Sequence, residues 1–309
     1  MKNRTFGFLI AAAIVMALAA VLASAQTLGP AGYSTPEEAM RAVAAIAGTG
    51  DTRKAEEIFG KDGLDLLHSG DPVADKQDGQ RVKKYIQEKV AFEDRSEGGK
   101  TPLIGKDRWP FPIPLVLENG RWHFDIAAGR EEIANRRVGR NELSTLETMH
   151  AYVDAQREYF AGKYAGTRAY ATKFFSSEGK RDGLYWPTAP DARRSPLGPL
   201  VAEAAEEGYT QGSGEPQPFH GYYFRILTAQ GKSAPGGARS YLDENGAMTK
   251  GFALLAWPAK YGNSGVMTFQ INRQGIVFQK DLGPSTDVTA RAITEYDPDE
   301  SWEPTADGF

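Results

Sequence analysis

The alternation of apolar and polar positions divides the chain beyond residue 32 into a helical opening, a run of strands, a long helical stretch and a strand-rich final third. In "STPEEAMRAVAAIAGTGD", Ala39, Met40, Val43, Ala44 and Ile46 recur at helical spacing, which predicts one apolar helix face. Thr35 stands three residues before Glu38 with Pro36 between them, a capping box with proline in the first turn. Gly48 and Gly50 end the element. A second short helix is expected over Thr52 to Phe59. A third is expected over "DGQRVKKYIQEKVAFED", where Val82, Ile86 and Val90 form a stripe.

"KDRWPFPIPLVLENGRWHFD" reads as a strand and a hairpin. Side chains and backbone donors both alternate along a strand, so Pro110, Pro112 and Pro114 all lack an N–H on one edge. Trp109, Phe111, Ile113 and Leu115 share the other parity. The expectation is an edge strand that pairs inward and recruits nothing outward. Asn119-Gly120 then predicts a tight turn, with "RWHFDI" returning beside the first strand.

In "AAGREEIANRRVGRNELSTLETMHAYVDAQREYFAGKYAG", Gly129 and Gly139 are expected to bound a short basic helix. Asn141 would cap a longer one with Leu143, Leu146, Met149, Val153 and Phe160 on one face. The domain junction is placed near Gly139. Residues 176–219 read as irregular, with one short helix at "PLVAEAAEEG". The strands "HGYYFRILTAQ", "GFALLAWPA" and "VMTFQINRQGIVFQKDLG" follow, the last folding back around Gln274-Gly275. The acidic tail "TEYDPDESWEP" is expected to be loosely held.

The first 25 residues add a compartment. Lys2 and Arg4 precede an apolar run that ends in Ala23-Ser24-Ala25, the pattern of a signal peptide cleaved before Gln26. Export to the periplasm is expected, with no membrane span after processing and no lipid anchor, since the chain has no cysteine. Retention of the apolar run as an anchor is the alternative. The processed chain carries 34 basic and 40 acidic residues, a formal charge of −6, and so has no global attraction for nucleic acid.

Eight stretches taken together, among them "SGDPVADK", "KDRWPFPIPL", "GREEIANRRVGRNEL", "GKRDGLYWP" and "HGYYFRILTAQG", resemble an uncharacterised bacterial family, the domain-of-unknown-function family 2950. That resemblance supplies no catalytic residues. The order of a helix, a loop and three strands in the second half is similar to the globular fold of type IV pilins and pseudopilins. The expected fold class is therefore α+β. A signal peptide (1–25) would precede a cone-like domain of helices and a curved antiparallel sheet (33–139). A pilin-like domain of a long helix on an antiparallel sheet (140–309) would follow.

Candidate chemistry is sparse. Arg130, Arg136, Arg137 and Arg140 could hold an anion, because guanidinium forks suit carboxylate and phosphate; a solvated face with Glu132–Arg136 pairing is the alternative. Lys180, Arg181, Tyr185 and Trp186 join charges to rings in one glycine-bounded loop, which suits a saccharide or peptide, or else anchors the loop. His220 with a carboxylate such as Asp182 is the one acid–base pairing considered. His68, His123 and His150 lack metal-ligand spacing, and Asp297, Asp299 and Glu300 lack that of a calcium loop, so no metal or cofactor is expected. The function that follows is a non-catalytic binding or assembly factor of the cell envelope. An envelope-polymer hydrolase using His220 and a pseudopilin-like subunit are the alternatives.

Overall fold

The computed structural model describes residues 29–306 apart from 97, 190, 208 and 210–216; the expected signal peptide lies outside the described residues. The fold is α+β. Four helices open it: α1 (Pro36–Ile46), α2 (Thr52–Phe59), the single turn α3 (Lys61–Leu64) with a 3-10 turn at Asp65–Leu67, and α4 (Pro72–Glu88). Thr35 caps α1 by accepting from the Glu38 amide at 3.2 Å, and the Glu38 carboxylate reaches back to the Ser34 amide at 3.0 Å. Helix α4 starts at Pro72 behind Asp71, whose carboxylate accepts from the amides of Val73 and Ala74 at 3.1 Å each. It ends earlier than its stripe suggested. Val90, expected on that helix, begins strand β1 (Val90–Asp94) instead, because Val90-Ala91-Phe92 fits a pleated surface as well as a helix face.

Strands β1, β2 (Lys100–Ile104), β4 (Leu115–Glu118) and β5 (Arg121–Phe124) form an antiparallel sheet in that order, and the two-residue β3 (Trp109–Pro110) also pairs with β2. The proline segment is not the continuous edge strand expected. It breaks into β3 and β4, both docked along β2, and β4 is covered further by β5. With every second donor missing, the segment bonds through what remains. The Phe111 amide donates to Pro102 O at 2.8 Å, and Pro114 O accepts from the Asp125 amide at 2.9 Å. The parity of its side chains holds for Phe111, Ile113 and Leu115, all buried, but Trp109 is 37% exposed. The turn between β4 and β5 is the expected one, with Asn119 and Gly120 at φ 51° and 74°, the pair of positive values a type I′ hairpin needs.

A single 37-residue helix, α5 (Ile126–Gly162), follows. No break occurs at Gly139, which sits on its exposed face, and Asn141 is no cap. Gly129 is inside the helix because α5 crosses close over Ile113; a Cβ there would come within 2.8 Å of Ile113 Cγ1. Of the apolar face expected, Met149 and Val153 are buried and Leu146 packs against the same core, but Leu143 is 65% exposed. The buried face also takes in the polar Arg137, Asn141, Thr145, Thr148 and Gln156 beside Tyr152 and Tyr159. Several of these polar groups are used on backbone of other elements. Asn141 donates to Ser264 O at 2.9 Å, Tyr152 to Ala253 O at 3.2 Å and Gln156 to Ala171 O at 2.8 Å.

An irregular stretch with α6 (Gly198–Glu206) leads to the second sheet. Its strands β6 (Tyr222–Leu227), β9 (Ala253–Pro258), β10 (Met267–Asn272), β11 (Val277–Asp281) and β12 (Glu303–Pro304) are antiparallel in the order β12-β11-β10-β9-β6. A small ribbon, β7 (Ala229–Gln230) with β8 (Arg239–Ser240), stands beside it, and α7 (Thr286–Ala292) follows β11. The β10–β11 hairpin turns at Gly275, φ 87°. Every residue of β9 is buried. The acidic tail, expected to be loose, is docked: Tyr296 and Trp302 are buried, and β12 pairs with β11. Two hydrophobic clusters result, one from residues 39–126 and one from residues 149–296.

Candidate ligand-binding groove

The first lobe leaves space that its own side chains do not fill. A groove of about 850 Å³ runs between the end of α1, α2, the 3-10 turn, α4, the Trp109–Ile113 segment and the first half of α5. Val43, Ile46, Phe59, Val82, Phe111 and Ile133 supply apolar wall from these separate elements. The size falls in the range of roughly 300–1,000 Å³ typical of ligand pockets, and so does the mixture of apolar wall and few charges. Five basic side chains (Lys76, Arg81, Arg136, Arg137, Arg140) and three acidic ones (Asp51, Asp75, Asp78) also line it. In an acidic chain this surface leans positive.

Three of the four arginines singled out in the sequence meet here. Arg136 donates to Glu132 Oε1 at 2.6 Å and to Pro110 O at 2.7 Å, and its guanidinium lies 4.8 Å from the centre of the Trp109 ring. That contact holds the half-exposed indole at the groove mouth. Arg140 forks onto Asp78 at 2.8 and 3.2 Å, and Arg81 shares the same carboxylate. Arg137 is buried; it donates to Leu66 O at 2.7 Å and to the Asn263 side chain. Burial pushes its guanidinium below the ordinary value, with Asp75 and Asp78 acting the other way. The Asp75 carboxyl is raised by burial, although both its oxygens accept from the Ser69 amide at 3.0–3.1 Å. Arg130 lies apart from the groove lining, bonded to Asp62 O and 3.8 Å from Asp65.

The groove floor abuts the junction with the second lobe. Asn263 donates to His68 O at 3.3 Å. The buried Asp71 carboxylate, while capping α4, accepts from Tyr209 Oη at 2.7 Å and the Gly221 amide at 3.0 Å. Gly221 has φ 76°, and a Cβ there would come within 2.5 Å of Asn141 Nδ2.

The other residues picked from the sequence lie elsewhere. Trp186 is buried against Tyr164, ring centres 4.9 Å apart, with the Arg181 guanidinium 5.4 Å from its ring. Tyr185 packs edge-on to Phe175 at 5.8 Å, and Lys180 is exposed on the same loop. Asp182 accepts from Lys173 Nζ at 2.8 Å and the Ser177 amide at 2.7 Å. These bonds, Lys173 foremost, hold its carboxyl well below the usual carboxylate range. His220 precedes β6 at φ 48°. The alternation that would set it on the strand with Tyr222 and Phe224 therefore does not operate. Its Nε2 is 3.3 Å from Glu207 Oε2, and its ring lies against Phe219 and Tyr209. His220 and Asp182 thus engage different partners.

Sequence reading missed Trp109, Tyr85 and Phe111 as groove residues and Asp71 as the junction's acceptor. The alternating prolines were the available signal for Trp109 and Phe111, since a strand so short of donors marks an irregular edge; Tyr85, on α4, had none. Asp71-Pro72 was the signal for the junction's acceptor, as a cap followed by proline at a helix start.

The family described as protein of unknown function DUF2950 matches residues 31–305. The chain belongs to that family. The matched span takes in both lobes and the whole groove. No curated protein matches the chain, and no solved structure does.

Proposed function

We propose that the chain is an exported binding protein whose groove takes an amphipathic ligand with an anionic end. The carrying observation is one groove of about 850 Å³ with apolar walls and an arginine-rich rim. An acyl or polycyclic body would displace water from Val43, Ile46, Val82 and Ile133, each buried methylene contributing roughly 0.8 kcal/mol. The Glu132–Arg136 and Asp78–Arg140 pairs are partly exposed. Such pairs are worth about 0–1 kcal/mol, so a ligand carboxylate or phosphate can take over either guanidinium at little cost. Periplasmic location, processing before Gln26 and a role in the cell envelope belong to this proposal, as does the division into domains at residues 139 and 140. The two separate hydrophobic clusters support that division.

Titration of the processed protein with a fluorescently labelled fatty acid tests the binding. Saturable binding is expected, weakened by Arg136→Gln and lost in Val82→Trp, which would fill the groove. Equal affinity in both variants would overturn the reading. Intact mass of the exported chain should begin at Gln26.

The hydrolase reading draws on His220 beside Glu207. His220→Ala should leave fatty-acid binding unchanged; loss of an envelope-polymer hydrolysis activity in that variant would favour the enzyme instead. A pseudopilin-like subunit would require the apolar N-terminus to stay attached, which the same mass measurement decides.

A further inference from the structure

The second lobe contains a smaller and chemically different cleft. It has a volume of about 240 Å³ and lies between the β7–β8 ribbon and the tip of the β10–β11 hairpin. Gln230, Arg239, Tyr241, Asn272, Arg273 and Gln274 line it, without a single carboxylate. Two arginines therefore share the lining with no carboxylate among the residues beside them. Among the described residues neither has a hydrogen-bond or ion-pair partner for its side chain. The groove arginines differ in this respect, each being bonded to a carboxylate, a carbonyl or a side-chain amide.

The backbone around these side chains is fixed while their charges are left unused. Arg239 pairs in register with Gln230. The Gln230 side chain donates from Nε2 to Pro235 O at 2.9 Å and Gly237 O at 2.8 Å, closing the turn that leads into Arg239. On the other wall, Asn272 Oδ1 accepts from the Gln274 amide at 2.9 Å, and Arg157 of α5 donates to Arg273 O at 3.2 Å. Between the walls stands Tyr241, 2% exposed. Burial pushes its phenol up to about 12, while the charges of Arg239 and Arg273 act the other way. Both guanidiniums thus reach the phenol electrostatically, and the phenol keeps its proton near neutral pH.

We propose that this cleft is a binding site for a small phosphate-type oxyanion, held by Arg239 and Arg273 with Tyr241 donating from the cleft floor. Besides Gln230, whose side-chain N–H groups are already used, the lining offers two planar forks, one hydroxyl and the side-chain amides of Asn272 and Gln274, a set that suits an anion with several acceptor oxygens. The volume admits a phosphate or a small phosphate ester rather than a polymer. The site does not rest on the groove reading.

Calorimetric titration of the processed protein with inorganic phosphate at low salt tests it. Saturable binding is expected, weakened about tenfold or more by Arg239→Gln and again by Arg273→Gln, since each removes charge-assisted bonds. Arg273→Lys, which keeps the charge and loses the fork, should fall between. Both arginines are exposed, so thermal melting should stay unchanged in every variant. Arg168→Gln, an exposed arginine in neither lining, should bind phosphate as the parent does. Absence of saturable binding, parental affinity in the double Arg239→Gln, Arg273→Gln variant, or an equal loss through Arg168→Gln would each overturn the proposal.

Discussion

The two halves of α5 pass through different surroundings. From Ile133 to Arg140 the helix borders the groove, with Ile133, Arg136, Arg137 and Arg140 in its lining. From Met149 to Tyr159 it lies in a filled core, where Tyr152 meets Phe174 and Phe252 edge-on at 6.0 and 5.7 Å and Tyr159 packs on Tyr164. One helix thus serves a lobe that keeps volume open and a lobe that spends its large side chains on closing it. On the proposed reading, the first stretch of α5 serves the groove's capacity and the second serves packing. Changes in the second half should cost folding, and changes in the first should cost occupancy.

The largest effect should come from the filled core. Phe269→Ala empties a site 1% exposed in the parent and should cost about 3–5 kcal/mol in urea unfolding. A loss under about 1 kcal/mol would break the contrast. Next comes the junction. Asp71→Ala removes the cap of α4 and strands Tyr209 Oη and the Gly221 amide, for an expected loss of about 2–4 kcal/mol. A smaller change would show that the lobes are joined chiefly through α5. Val82→Trp, on the groove wall, should alter stability by no more than about 1 kcal/mol while abolishing fatty-acid binding. Destabilisation as large as that of Phe269→Ala would mean that the groove collapses in solution.

The smallest effect concerns pH. Asp182 has its carboxyl lowered, chiefly by Lys173 and then by the Ser177 amide. The fold favours its ionised form. Its contribution to the loop is therefore complete above the ordinary aspartate value of about 4 and is lost as pH falls from there through the lowered value. The Ser177 amide resonance should be flat between pH 5 and 7 and shift only on further acidification. A midpoint above about pH 4.5 would contradict the bonding described.

Local signals were legible wherever one element carried its own instructions. The capping box at Thr35, the helix Thr52–Phe59 and the turns at Asn119-Gly120 and Gln274-Gly275 needed no distant partner. The unbroken length of α5 was not legible because its buried face mixes polar groups with apolar ones such as Met149 and Val153. Asn141, Thr145 and Gln156 look solvent-facing until the carbonyls they serve are in place. Val90 was given to a helix because three apolar residues fit either period. The groove itself was half legible. Clustered arginines pointed to its rim, but its walls come from positions as far apart as Val43 and Ile133, which no local pattern joins.

The uninterrupted length of α5, about 55 Å at 1.5 Å per residue, makes neither half of this protein a transplantable cassette. Cutting before Ile126 would strip the groove of Ile133, Arg136, Arg137 and Arg140; cutting after Arg140 would leave the second sheet's covering rod without the stretch that anchors it. Any fusion or truncation that respects the molecule must carry the whole shaft.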